Sequence, residues 1–195
     1  MWIHESFTNY SESLFIESKW GKQAGQEYIH GTRLSILNNE PIIGPYGVNK
    51  EGSGDMYPKG GNLLNMVRTI INDDAKWRDI LRGLNKTFYH QTVTHQQIID
   101  YINQQSGTNL TPVFDQYLKY RNLPTLELMT IGGKLMCRWV ADADGFNMPV
   151  RVRIKGGEYQ FITPRTRFTP VNINGATKDN LEVDVFNYYI GVLLD

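Results

Sequence analysis

The hydrophobic period of this chain changes once, at Leu123-Pro124, and that change limits the fold more than any other feature. Before it, apolar side chains recur every three or four residues, as in helices that bury one face. After it they alternate with polar residues, as in half-buried strands: Leu126/Leu128, Leu135/Cys137/Trp139, Val150/Val152/Ile154 and Tyr159/Phe161. The runs 168–173 and 183–194 are also rich in β-branched and aromatic residues, and Gly132-Gly133, Asp144-Gly145, Gly156-Gly157 and Asn174-Gly175 supply turns. The pattern predicts about seven short strands in a small antiparallel β-sandwich. The fold class is α+β by domains, with residues 1–122 helical and residues 123–195 stranded.

Six helical segments precede the change. The first runs from Trp2 to Lys19 or Trp20 and stops at Gly21, with an apolar stripe of Ile3, Phe7, Tyr10 and Leu14. Glu5, Asn9 and Glu12 share another of its faces. The second spans Lys22 to Leu37 with Ala24, Tyr28, Leu34 and Leu37 inward, and Gly31 interrupts it at a cost of about 1 kcal/mol. Residues 38–56 hold two Pro and four Gly without helical period, and a loop of that length is more often functional than idle. The third helix starts at Tyr57-Pro58 and carries Leu63, Leu64, Val67, Ile70 and Ile71. Trp77, Ile80, Leu81, Leu84 and Phe88 mark a fourth. Thr94 and Gln97 form a capping box for a fifth, closed by Gly107, and Thr111-Pro112 opens a sixth.

Composition removes several classes. Twenty basic and twenty acidic side chains cancel, so no global field favours nucleic acid or an anionic membrane. A single Cys137 excludes an internal disulfide and a Cys-rich metal site, and it leaves the compartment open. No apolar run reaches the roughly 20 residues of a membrane span. G-x-S-x-G and phosphate-cradling Gly loops are absent, and Cys137 falls in a strand with no His nearby.

Two segments carry chemistry. Trp2-Ile3-His4-Glu5-Ser6-Phe7-Thr8-Asn9-Tyr10-Ser11-Glu12 resembles the W-L-x-E-G-F-A-x-Y-x-E segment of zinc aminopeptidases of the aminopeptidase N (gluzincin) type. Asp55-Met56-Tyr57-Pro58-Lys59-Gly60-Gly61 resembles the same family's Y-x-K-G segment. The resemblance implies that Glu5 is the third zinc ligand and lies near the substrate's free amine. It implies that Tyr57 donates to the oxyanion formed when water attacks the peptide carbonyl, a stabilisation worth on the order of 3 kcal/mol. Ser6 stands where Gly is usual and Thr8 where Ala is usual. Asn9, one turn beyond Glu5, is the candidate supporter of that carboxylate.

His4-Glu5 opens like H-E-x-x-H, but position 8 is Thr8, so the second imidazole is missing. His30 stands alone, His95 reads as an N-terminal helix residue and His90 as a loop or surface residue. By the resemblance, H-E-x-x-H and the segment anchoring the substrate amine lie upstream of Met1, where any signal peptide would also stand. The resemblance therefore implies the helical second half of a thermolysin-like catalytic domain followed by a β-sandwich. That piece lacks the general base and two of three zinc ligands, and is inactive alone. Its partners would be a peptide substrate and the missing N-terminal half, with self-association through apolar surface left open by that half. The alternative is a non-catalytic helical-plus-sandwich interaction module derived from the same family. A parent with epoxide-hydrolase activity, as in one branch of the family, has no support in these residues.

Overall fold

The computed structural model describes residues 1–45 and 47–195; the part of the expected 38–56 loop that falls on position 46 lies outside them. Among the described residues six α-helices come first: α1 (Trp2–Trp20), α2 (Lys22–Gly31), α3 (Pro58–Ile71), α4 (Asp74–Thr87), α5 (His95–Ser106) and α6 (Thr111–Lys119). Seven strands follow: β1 (Thr125–Ile131), β2 (Lys134–Val140), β3 (Val150–Ile154), β4 (Gln160–Ile162), β5 (Thr169–Pro170), β6 (Leu181–Val183) and β7 (Gly191–Leu194). The architecture is α+β.

α3 is the axis of the helical part. It starts at Pro58, whose missing N–H is no loss in a first turn, and every residue from Pro58 to Arg68 is buried. α1 lies across its N-terminal half at unusually short range. A Cβ on Gly60 would collide with the Ser6 hydroxyl, and one on Gly61 would press on Asn9. The Ser6 hydroxyl, fully buried, donates to the Met56 carbonyl at 2.7 Å. This close contact rotates α1 from its expected stripe. Trp2, Ser6, Tyr10 and Ser13 are the buried line, while Ile3, Phe7 and Leu14 only flank the core.

The same economy of space governs α2, where a Cβ on Gly25 would collide with the Ser13 carbonyl and Glu17. Gly25 and Ile29 therefore face inward, in place of the expected Ala24, Tyr28, Leu34 and Leu37. Leu34 and Leu37 are 96% and 70% exposed. The helix ends at Gly31 and tightens into a 3-10 turn over Thr32–Ser35, short of the expected Leu37. The buried Asp55 carboxylate accepts from the backbone N–H of Leu37 (2.9 Å) and Asn38 (2.7 Å), which pulls the chain out of helical register.

Charge and polar contacts tie the far ends. Arg68 of α3 reaches Glu17 of α1 with two nitrogens (2.6 and 2.9 Å) and Asp74 of α4 with its Nε (2.8 Å). The Arg68 guanidinium holds the Asp74 carboxyl far below the usual carboxylate range. Nearby, Trp77 donates to the Tyr10 hydroxyl at 2.9 Å, and burial pushes that hydroxyl's pKa up to about 12. The Thr94/Gln97 capping box at the start of α5 is formed as expected.

The strands make two sheets, ordered β5-β2-β1-β7 and β4-β3-β6. β1 and β2 form a hairpin whose two-residue loop, Gly132-Gly133, has positive φ at both positions, as a type I′ turn requires. All pairings are antiparallel except β1 with β7, which is parallel. β2 alternates cleanly, burying Leu135, Cys137 and Trp139. Tyr159 and Phe161, expected inward, are both 38% exposed. β4 is a three-residue edge, and the Tyr159 ring lies under the guanidinium groups of Arg151 and Arg153 at 5.5 and 4.5 Å. The run 183–194 is two strands, because the chain between β6 and β7 turns away to dock on the helices.

One continuous core of buried apolar side chains extends from Trp2 to Tyr188. Substituting Gly60→Ala should lower stability by about 1–3 kcal/mol in urea unfolding. In a Ser6→Gly background the same change should cost measurably less. Equal costs in both backgrounds would mean that α1 and α3 do not meet there.

Candidate functional site

The close approach of α1 to the start of α3 has a consequence at their shared N-terminal end. Glu5 sits in the first turns of α1, and Tyr57 caps α3 from just outside it. These two side chains, 52 positions apart in sequence, are neighbours in space. Partial desolvation, and then the adjacent Glu5 carboxylate, raise the Tyr57 phenol above its ordinary pKa. Tyr57 is 45% exposed, so the pair opens to solvent. The phenol can donate to an acceptor in front of it, and the carboxylate can take a cation.

Asp55 and Lys59, to either side of Tyr57, hold it in place, and sequence reasoning assigned neither a role. Asp55 closes the 38–56 loop onto the start of α3 through the Leu37 and Asn38 amides. Lys59 has no exposed surface, and its Nζ donates to the Tyr120 and Arg121 carbonyls, both at 3.1 Å. Those carbonyls follow the C-terminus of α6, where a helix concentrates negative potential. Burial lowers the Lys59 pKa to about 8, with the Asp55 charge acting the other way. A lysine at the third place of Y-x-K-G was visible in sequence, but the cue that would mark it as buried is tertiary.

Asn9 does not support Glu5. Its side-chain N–H donates to Glu12 (3.2 Å), which also accepts from the Tyr28 hydroxyl (2.7 Å). The four histidines stay apart. His4 is exposed, and His30 stacks on Phe186 at 4.7 Å with its Nδ1 3.2 Å from the Phe186 carbonyl. His90 lies beyond α4 with positive φ, and His95 begins α5. Among the described residues, no three His, Cys, Asp or Glu side chains converge on one point, and no helix is long and apolar enough to cross a membrane.

Two titrations check this geometry. Replacing Glu5→Gln should move the Tyr57 phenol part of the way back toward an ordinary tyrosine pKa, read from its ring carbon by NMR. An unmoved value would separate the two side chains. For Lys59, the unfolded chain keeps its proton to about pH 10.5 whereas the folded one loses it near 8, so the unfolded state binds more protons between those values. Stability should therefore rise with pH across that window, by on the order of 3 kcal/mol in all. The Lys59→Met variant should lose that slope in denaturant titrations; an unchanged slope would mean that Lys59 is solvated.

No protein-family model matches this chain, and no curated protein matches it by sequence. Among solved structures it is similar to aminopeptidase A of Legionella pneumophila, determined in complex with aspartic acid, with a TM-score of 0.67 and 14% sequence identity. The match takes in 98% of this chain and 23% of that one. The chain thus spans less than a quarter of that protein's length, and what the two share is the fold.

Proposed function

We propose that this chain is the C-terminal portion of a zinc aminopeptidase of the aminopeptidase N type. Residues 1–122 would be the second half of its catalytic domain and residues 123–195 its β-sandwich domain. The observation that carries the reading is the meeting of Glu5 and Tyr57 at one solvent-facing point, each inside a segment resembling one of the family's two motifs. The likeness of fold to an aminopeptidase adds support.

In this reading Glu5 supplies one carboxylate donor to zinc, and two imidazoles and the general base come from an H-E-x-x-H helix outside this chain. When bound, zinc would supply an acidified water as the nucleophile, and of this chain's residues Glu5 would hold the metal. A half-solvated carboxylate at the start of a helix suits one ligand of that set. Tyr57 would then hold its hydroxyl where negative charge develops on the substrate carbonyl oxygen. A phenol with its ordinary pKa of about 10 already keeps that proton at neutral pH, and an upward shift leaves it there, as a donor needs. Ser6 fits in the place of a family glycine because its hydroxyl finds the Met56 carbonyl, so the α1–α3 approach survives the substitution.

By itself the chain should not hydrolyse peptides. The exposed Leu34, Leu37, Trp20 and Phe15 suit contact with the rest of a catalytic domain, or with a second copy when that is missing.

The test uses the protein extended upstream to include the H-E-x-x-H helix. Glu5→Ala should release zinc, and full metal content in that variant would refute the ligand. Tyr57→Phe should keep zinc and KM but lose roughly a hundredfold or more in kcat; near-normal turnover would remove the hydroxyl from the chemistry.

A further inference from the structure

A second polar cleft lies at the other end of α3. It opens between α2, α3, the turn into α4 and β3, with a volume of about 160 Å³. Its residues on and just after α3, Asn65 to Asn72, lie roughly 12–22 Å along the helix axis from Tyr57, and the cleft shares no lining residue with the Glu5 site.

Three cationic side chains line it, Lys22, Arg68 and Arg151, against the single carboxylate of Asp74. Each cation is held by an acid, Asp74 at the wall or Glu17 and Asp184 behind it. Lys22 donates to Asp74 at 2.7 Å, Arg68 to Glu17 and Asp74, and Arg151 to Asp184. Those bonds leave donors over, since an ammonium carries three N–H and a guanidinium five. Three carboxamides complete the wall: Gln26 of α2, Asn65 of α3 and Asn72 at the α3 C-terminus. Asn65 is only 4% exposed, and the part of it that reaches solvent lines the cleft, as do the more open Gln26 and Asn72.

We infer that this cleft binds a small multiply charged oxyanion, a phosphate or a dicarboxylate. The cations outnumber the one acid at the wall, and Glu17 and Asp184 behind it hold Arg68 and Arg151 in place before a ligand arrives, which lowers the cost of binding. The carboxamides of Gln26, Asn65 and Asn72 add neutral N–H donors to the same wall. The volume admits a ligand of a few heavy atoms.

Isothermal titration of the 195-residue chain with inorganic phosphate, and separately with malonate, at constant ionic strength tests this. One saturable site is expected, with Kd on the order of 1 mM or tighter for the preferred anion. The tighter of the two arms identifies the class. Asn65→Asp and Gln26→Glu each place a carboxylate at the wall and should weaken binding about tenfold or more. His95→Gln, far from the cleft, should leave it unchanged. Gln26 lies on the rim, so Gln26→Glu carries the test should Asn65→Asp fail to fold. Absence of saturation by roughly 50 mM of either anion, or equal affinity in Gln26→Glu and the parent chain, would overturn the assignment.

Discussion

The approach of α1 onto α3 is the contact on which the rest of the molecule depends. Two glycines at the start of α3 let the Ser6 and Asn9 side chains come down onto its backbone, nearer than any larger pair would allow. Close contact between helix backbones gathers dispersion contacts over the full interface. It also decides which face of α1 turns inward. The inner line is a mixture of large and small residues, Trp2, Ser6, Tyr10 and Ser13, because the small ones sit where the backbones touch and the large ones fill the gaps beside them. With that rotation set, Glu5 points along the groove toward Tyr57.

The junction between helices and strands is built on a different principle. Polar side chains there bond chiefly to backbone groups. Arg33 donates to Asn62 (2.7 Å) and to the carbonyls of Val185 (2.7 Å) and Phe186 (3.0 Å), with its guanidinium over the Tyr189 ring. Lacking a carboxylate partner, it has its pKa lowered by burial to about 10. Gln116, fully buried, accepts from the backbone N–H of Asp142 and Ala143, both at 2.8 Å, and Tyr117 donates to the Tyr189 carbonyl at 2.7 Å. Such bonds need particular backbone positions, so the 184–190 segment docks in one register. That requirement splits the apolar run 183–194 into two strands, and it leaves β7 beside β1 in parallel.

Much of this could be read in advance wherever local rules act alone. Pro58 at a helix start, the Thr94 capping box, Gly21 and Gly107 as stops and the Gly132-Gly133 hairpin all follow from backbone sterics within a few residues. The periods before and after Pro124 separated helices from strands for the same reason. Inward faces were less legible. For α2 the apolar count pointed to Leu34 and Leu37, whereas contact with α1 selected Gly25 and Ile29, because closeness of approach outweighed side-chain hydrophobicity there. The candidate site divides likewise. Glu5 and Tyr57 stood out through their motifs, but Asp55 and Lys59, which hold the start of α3, carry no local mark of burial.

The amino-acid order by itself determined where most helices begin and end, where strands replace them, and which two short segments hold the candidate residues Glu5 and Tyr57. These depend on φ/ψ preferences, capping groups and periodicity, all of which act over a turn or two. Tertiary structure alone decided which faces are buried, that Glu5 and Tyr57 share one opening, and that Lys22, Arg68 and Arg151 line another. Those outcomes depend on how closely backbones can approach across long separations in sequence, and on buried polar groups finding partners there.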